Sequence, residues 1–156
     1  MEPALPGTVT LETLVSGVLS GGRTWNGLQI EVVSVEEDGW PLVQAYNQFN
    51  EPPLPGKRML LVTIRVSKVE DAGKEPVTVD EADFKVVGER GVVYTTYGDE
   101  TRCGVVPDAL GGVVTPEHSL SGAICVQVPK DEKGFVLIYE PFVGNEPAVY
   151  IPLPSE

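Results

Sequence analysis

Alternation of apolar and polar side chains is clearest from Arg58 to Glu70, RMLLVTIRVSKVE. Leu60, Val62, Ile64 and Val66 fall on one face of an extended chain and Thr63, Arg65 and Ser67 on the other, a period-two pattern that a helix would scatter around its circumference. The segment is predicted to be a strand with one face in a core. Met59, Leu61 and Val69 add apolar surface to the second face, so the strand belongs in the middle of a sheet with the Arg65 end of that face wet. Its length, about a dozen residues against the usual five or six, suits the centre of a large sandwich sheet.

The same alternation marks LQIEVVSVEED, where Leu28, Ile30 and Val32 share a face before Val33 and Val35 take over; that change of face predicts a bulge near Val33 and Ser34. Upstream, Thr8 to Ser20 is rich in Val and Thr and is expected to form an edge strand or a strand pair. Phe84 and Val86 alternate inward, Gly88-Glu89-Arg90-Gly91 reverses the chain, and Val92 and Tyr94 return on the partner strand of a hairpin. A short strand is expected around Cys103 to Val106, followed by a long loop crossing between two sheets in the Greek-key manner. Ser119 to Pro129 predicts a strand with Ile124, Val126 and Val128 inward and Ala123, Cys125 and Gln127 outward. FVLIYEP and PAVYIPL, joined through Gly144-Asn145, supply the closing strands. About eight strands and no helix result, an all-β chain whose turn spacing favours a two-sheet β-sandwich over a closed barrel.

One segment breaks the pattern. Residues 36–58, EEDGWPLVQAYNQFNEPPLPGKR, hold four prolines, each without a donor N–H, so no continuous ladder can run through them. Trp40, Leu42, Val43, Tyr46 and Phe49 give this excursion apolar contacts of its own, so it is expected to lie packed on the sandwich. It reads either as a recognition loop, with Trp40, Tyr46 and Phe49 as partner contacts and Asn47, Gln48 and Asn50 beside them, or as a flap whose aromatics seal a sheet edge.

A length of 156 residues suits a single domain, read as residues 8–156 behind a loose tail over 1–7. A net charge of −12 repels phosphate backbones and anionic lipid heads, which argues against nucleic acid and membrane surfaces as partners. No stretch is long and apolar enough to insert in a bilayer. MEPALPG lacks a basic segment followed by an apolar one, so an intact secretion signal is absent from this sequence.

Candidate chemistry is sparse. Nucleotide-binding glycine loops and zinc-hydrolase motifs are absent, and His118, the single histidine, sits in a turn where its sequence neighbours Glu117 and Ser119 point away from it. Acidic groups gather at Glu36-Glu37-Asp38, Asp80-Glu81-Asp83 and Asp99-Glu100, as solvated turn carboxylates or, where two clusters converge, a calcium site. Cys103 and Cys125 lack the CxxC spacing or imidazole company of a metal or redox pair. They are isolated thiols, or a structural disulfide toward the surface of one sheet that stabilises the fold by roughly 3 kcal/mol; we favour the disulfide.

The order of these elements resembles a known family. Trp25 with a Val/Ile strand, the long alternating strand, the Phe84–Gly91–Tyr94 hairpin, Gly122 with Val126-Gln127-Val128-Pro129, and Leu137–Tyr139–Pro141 are similar to bacterial immunoglobulin-like domains of unknown function in secreted proteins and lipoproteins. Those domains share a fold with a mycobacterial immunoprotective antigen. The resemblance covers about Leu28 to Leu153 and implies an immunoglobulin-like sandwich, an extracytoplasmic location behind a removed signal or lipid anchor, the oxidised state of Cys103 and Cys125, and no cofactor or known catalysis. The first functional reading is a non-catalytic binding or structural module with a protein partner at the cell envelope, using the Trp40, Tyr46 and Phe49 loop or a sheet edge as contact surface. A calcium-dependent adhesion-type module is the alternative, and an enzyme of unrecognised type the third reading.

Overall fold

A computed structural model of the chain describes residues 20–24, 27–69, 75–141 and 148–153. Their elements are β1 (Ser20–Arg23), β2 (Leu28–Glu36), α1 (Trp40–Tyr46), β3 (Lys57–Lys68), β4 (Val77–Asp80), a 3-10 turn at Glu81–Asp83, β5 (Phe84–Val87), β6 (Val93–Thr95), β7 (Gly111–Val114), β8 (Leu120–Pro129), β9 (Val136–Tyr139) and β10 (Val149–Pro152). Two four-stranded sheets, ordered β1-β2-β3-β8 and β10-β9-β5-β6, form the sandwich, and β4 pairs with β7 as a separate ribbon. The tail, the Thr8–Leu19 part of the expected edge strand, Trp25 and the Gly144-Asn145 turn lie outside the described residues.

The predicted alternation of β3 is what closes the sandwich. Leu60, Val62, Ile64 and Val66 are buried with Leu28, Ile30 and Val32 of β2 and with Ile124, Val126 and Val128 of β8. Phe84, Val86, Tyr94, Leu137, Tyr139, Val149 and Ile151 face them from the second sheet. Phe84 and Tyr139 meet ring to ring at 5.2 Å, in a tilted arrangement that aromatic quadrupoles favour. In β2 the register shifts between Val32 and Ser34, so Val32 opposes Ile64 while Val35 opposes Val62. The extra residue is the expected bulge, and it turns Val35 back onto the core.

Four local expectations are corrected. A helix, α1, interrupts the excursion: Pro41 stands in its first turn, where the missing N–H has no partner to lose, and the Val43 N–H donates to the Gly39 carbonyl at 3.0 Å. Residues 103–106 form no strand, because Val105 spends both backbone groups on the Asn50 side chain; only Arg102 bridges to Val126. Gly111–Val114, expected to be loop, is a strand paired with Val77–Asp80. Val92 precedes β6 and is exposed, leaving Tyr94 as the inward residue opposite Val86. Among the described residues ten strands are therefore present instead of about eight.

The outer face of the first sheet is wet at its Arg65 end, as expected, where Arg65 pairs with Glu31 at 2.9 Å, but it is covered at the other end. Met59, Leu61, Ala123 and Cys125 form a second buried cluster with Val43, Cys103 and Val106, with Trp40 packed against it. The excursion and the crossing loop thus roof one end of β3 and β8, where Met59, Leu61, Ala123 and Cys125 make the second face apolar. The crossing loop also takes the free edge of β8: Gln127 N–H donates to the Thr101 carbonyl and Ala123 N–H to that of Asp108, each at 2.7 Å, while Leu110 N–H donates back to Ala123 at 2.9 Å. The approach is close enough that a Cβ on Gly122 would lie 2.6 Å from Leu110 Cα.

At one end of the sandwich Glu132 is fully buried. Its carboxylate accepts hydrogen bonds from the Tyr94 hydroxyl and, at 3.0 Å, from the Arg90 N–H, which locks the β5–β6 turn onto the loop before β9. Burial, and then the Glu132 hydrogen bond, push the Tyr94 phenol up to about 12.

Truncating Leu60 to Ala should cost about 2–5 kcal/mol, read by urea unfolding. For Tyr94 the folded pKa exceeds the unfolded one, so its stabilisation is complete below pH ~10 and is lost as pH rises toward 12. Melting temperature should therefore fall across that window, with a shallower fall in Tyr94→Phe; equal slopes would show that the phenol does not carry the dependence.

Candidate functional site

The roof over β3 and β8 begins at Gly39, whose N–H donates to the Met59 carbonyl at 2.8 Å, and α1 then turns Val43 inward. With Val43 down, Leu42 and Tyr46, four residues apart, point out together; they are 50% and 56% exposed. Phe49 follows at 84% exposed, on a turn held by its N–H to Asn47 Oδ1 at 2.9 Å. Asn50 clamps the flap to the crossing loop: its Nδ2 donates to the carbonyls of Val43 at 3.1 Å and Val105 at 2.6 Å, and its Oδ1 accepts from Val105 N–H at 2.9 Å.

Between these two arms runs a groove of about 500 Å³, lined by Phe49, Leu54, Val105 and Arg102 among others. Gln127 forms its floor, accepting from Leu54 N–H at 2.8 Å and donating to the Arg102 carbonyl at 2.8 Å. The Cys103–Cys125 disulfide, with Cα atoms 5.8 Å apart, staples the Arg102–Val105 wall to β8. It lies on the outer side of the sheet, yet buried beneath the flap and not at the surface.

The three aromatics of the excursion therefore divide. Trp40 is half-buried against the second cluster and belongs to the roof, while Tyr46 and Phe49 face outward. Of the residues read as polar contacts, Asn47 uses its Oδ1 on the Phe49 N–H within the flap and Asn50 uses its amide on Val43 and on Val105 of the crossing loop. Leu54, Val105 and Arg102 join the surface without having been singled out in the sequence, and Leu42, read there as packing the excursion, is exposed instead; the spacing of Leu42 and Tyr46 was the available signal, hidden because α1 was not expected.

One of the three acidic clusters closes a turn. Asp80 and Asp83 form a reciprocal cap on the 3-10 turn, with Ala82 N–H on Asp80 Oδ2 and Asp80 N–H on Asp83 Oδ2, each at 3.0 Å. Burial, with the Asp80 charge behind it, raises the pKa of Glu81. Among the described residues no group of three or more His, Cys, Asp or Glu side chains is placed to hold a metal ion. His118 stands exposed in a turn closed by its own N–H to Thr115. Among the described residues no helix is long and apolar enough to cross a membrane.

Residues 24–149 match the profile of a domain of unknown function, DUF4352. The chain belongs to the DUF4352 family. No curated protein matches this DUF4352 domain. Among solved structures it is similar to YcdA of Bacillus subtilis, a candidate lipoprotein, with a TM-score of 0.60 at 17% identity over 87% of this chain. The similarity covers 38% of YcdA, so the DUF4352 domain spans well under half of that protein. It is also similar to MPT63, a secreted protein of Mycobacterium tuberculosis, with a TM-score of 0.51 at 13% identity over 96% of this chain and 93% of the other. At such identities the likeness is one of fold, and it agrees with the sandwich and the family resemblance read from the strand order.

Replacing both cysteines, Cys103→Ala with Cys125→Ala, should lower unfolding free energy by about 3 kcal/mol in the chain-entropy picture of a loop with a sequence separation of 22. Chemical denaturation with and without a thiol reductant checks this: the wild type should lose the same amount on reduction, and the double variant nothing.

Proposed function

We propose that this DUF4352 domain is a non-catalytic extracytoplasmic module that docks a protein partner along the groove beside α1. The observation that carries the reading is the set of exposed apolar side chains on the flap, Leu42 and Tyr46 on α1 and Phe49 beyond it, the last lining the groove with Leu54 and Val105. Solvent-exposed apolar residues gathered at one place on a small domain mark an interaction site, and aromatics beside an arginine are the side chains from which interface hot spots are built. The flap that presents them is tied by Asn50, Gln127 and the disulfide, so little ordering cost remains to be met on binding.

Location is supported by two independent features. A disulfide suits an oxidising compartment, and the similar solved structures are described as a secreted protein and a candidate lipoprotein. The net charge of −12 favours a neutral or basic protein over a polyanion.

A photo-crosslinking amino acid at position 49 should capture a discrete protein at the cell envelope of the native organism. Leu42→Ala with Tyr46→Ala should weaken that complex by about tenfold or more without shifting the melting temperature. Capture that is no stronger at 49 than at the roofed position Met59, or that survives the double substitution, would remove the groove as the docking site.

A further inference from the structure

Residues 51–55, Glu-Pro-Pro-Leu-Pro, form one rim of the groove, with Pro52 and Leu54 in its lining. Pro52, Pro53 and Pro55 fix φ at about −65°, and the proline that follows each of Glu51, Pro52 and Leu54 pushes that residue to extended backbone. The run is thereby directed into polyproline II. Exposure follows its turn of about three residues: Pro53 is half-buried, while Pro52 and Pro55, one turn apart on a single ridge, are exposed. Both ends are fixed. Asn50 N–H donates to the Asn47 carbonyl at 3.0 Å, and Lys57 N–H donates to the Leu54 carbonyl at 2.9 Å across Pro55 and Gly56, whose φ of 78° completes a type II turn. The Gly56 carbonyl in turn accepts from Lys130 N–H, just past β8, at 2.9 Å. Within the run the Leu54 N–H is spent on Gln127 Oε1 at 2.8 Å, whereas the Pro52 and Pro53 carbonyls accept no hydrogen bond from the described residues. Glu51 heads the run and is exposed, and neither it nor Asp99 in the same lining forms an ion pair among the described residues. Against these two carboxylates the lining sets one cation, Arg102, so it carries an excess of negative charge.

We infer that this run is a preformed polyproline ligand, gripped by a partner protein whose own groove is lined with tryptophan and tyrosine rings and carries a basic side chain facing Glu51; the inference rests on the docking of a protein beside α1 and names that partner's chemistry. A proline ridge is apolar and stiff, and flat rings pack against it, which is how aromatic-lined grooves take proline-rich segments. The indole N–H and the phenol O–H are donors suited to the open Pro52 and Pro53 carbonyls. Strand addition is disfavoured here, because a run with three prolines has too few N–H groups to join a ladder. The negative lining, on a chain of net charge −12, is complemented by a cation. Held at Asn50, Leu54 and Gly56, the backbone enters the complex already ordered and loses less entropy than a free proline-rich tail would.

The test places a photo-crosslinking amino acid at position 54 of the full chain, and in a second preparation at position 49, in the native envelope, with a synthetic peptide of residues 50–57, NEPPLPGK, as competitor. Capture at 54 should map, by mass spectrometry of the crosslinked fragment, to a segment of the partner bearing tryptophan or tyrosine. The peptide should suppress that capture, while the same peptide carrying Pro52→Ala and Pro55→Ala should not. In the full chain Pro52→Ala with Pro55→Ala should weaken the complex about tenfold, and Glu51→Gln about threefold. The competition arm leaves the chain unaltered, so it reads the contact even where the proline substitutions shift the melting temperature. A complex captured at 49 that depends on Leu42 and Tyr46 but ignores both the peptide and the proline substitutions overturns this inference and leaves the docking reading standing. Indifference to Glu51→Gln overturns the basic side chain, and absence of capture at both positions overturns the inference together with the docking reading.

Discussion

Ten residue pairs, from Lys57 against Pro129 to Val66 against Leu120, tie β3 to β8 in one antiparallel ladder. Both strands carry apolar residues on two faces where the flap and the crossing loop cover them. One face closes the sandwich core, and the other receives the flap and the crossing loop. The ladder is thus the plane on which a three-layer region is stacked inside a two-sheet fold. Everything described on the flap inherits its rigidity from Met59, Leu61, Ala123 and Cys125, which would be wet in an ordinary sandwich strand.

That arrangement also explains what the sequence disclosed. β2, β3 and β8 were legible because their core faces are uninterrupted and β-branched, and even the bulge showed itself, since one surplus residue at Val33 exchanges the two faces. The hairpin at Gly88–Gly91 was legible from its turn. α1 was not: seven residues hold no helical period worth counting, Pro41 reads as a breaker until it is known to stand in a first turn, and the helix stands on Val43 packing and not on propensity. Apolar residues at Cys103 and Val106 suggested a strand because burial under a flap leaves the same composition as burial in a sheet. β7 starts with two glycines and exists through a partner more than thirty residues upstream, a pairing that local pattern cannot disclose.

The candidate surfaces were legible in a more limited way. Phe49 and Tyr46 stood out as aromatics in an irregular stretch, but whether an aromatic in a flap points in or out depends on the single turn of backbone beneath it, and Trp40 fell on the other side.

The loop from Thr101 to Leu110 along the border of β8 has a further bearing on how copies of this protein behave together. A long, flat, strongly apolar strand with its amides unclaimed is the template on which chains zip into fibrils. Here the hydrogen-bonding positions at Ala123 and Gln127 are already spoken for within the molecule, and a covalent link at Cys125 keeps the occupant from leaving. The strand most suited to self-assembly is thereby withdrawn from it.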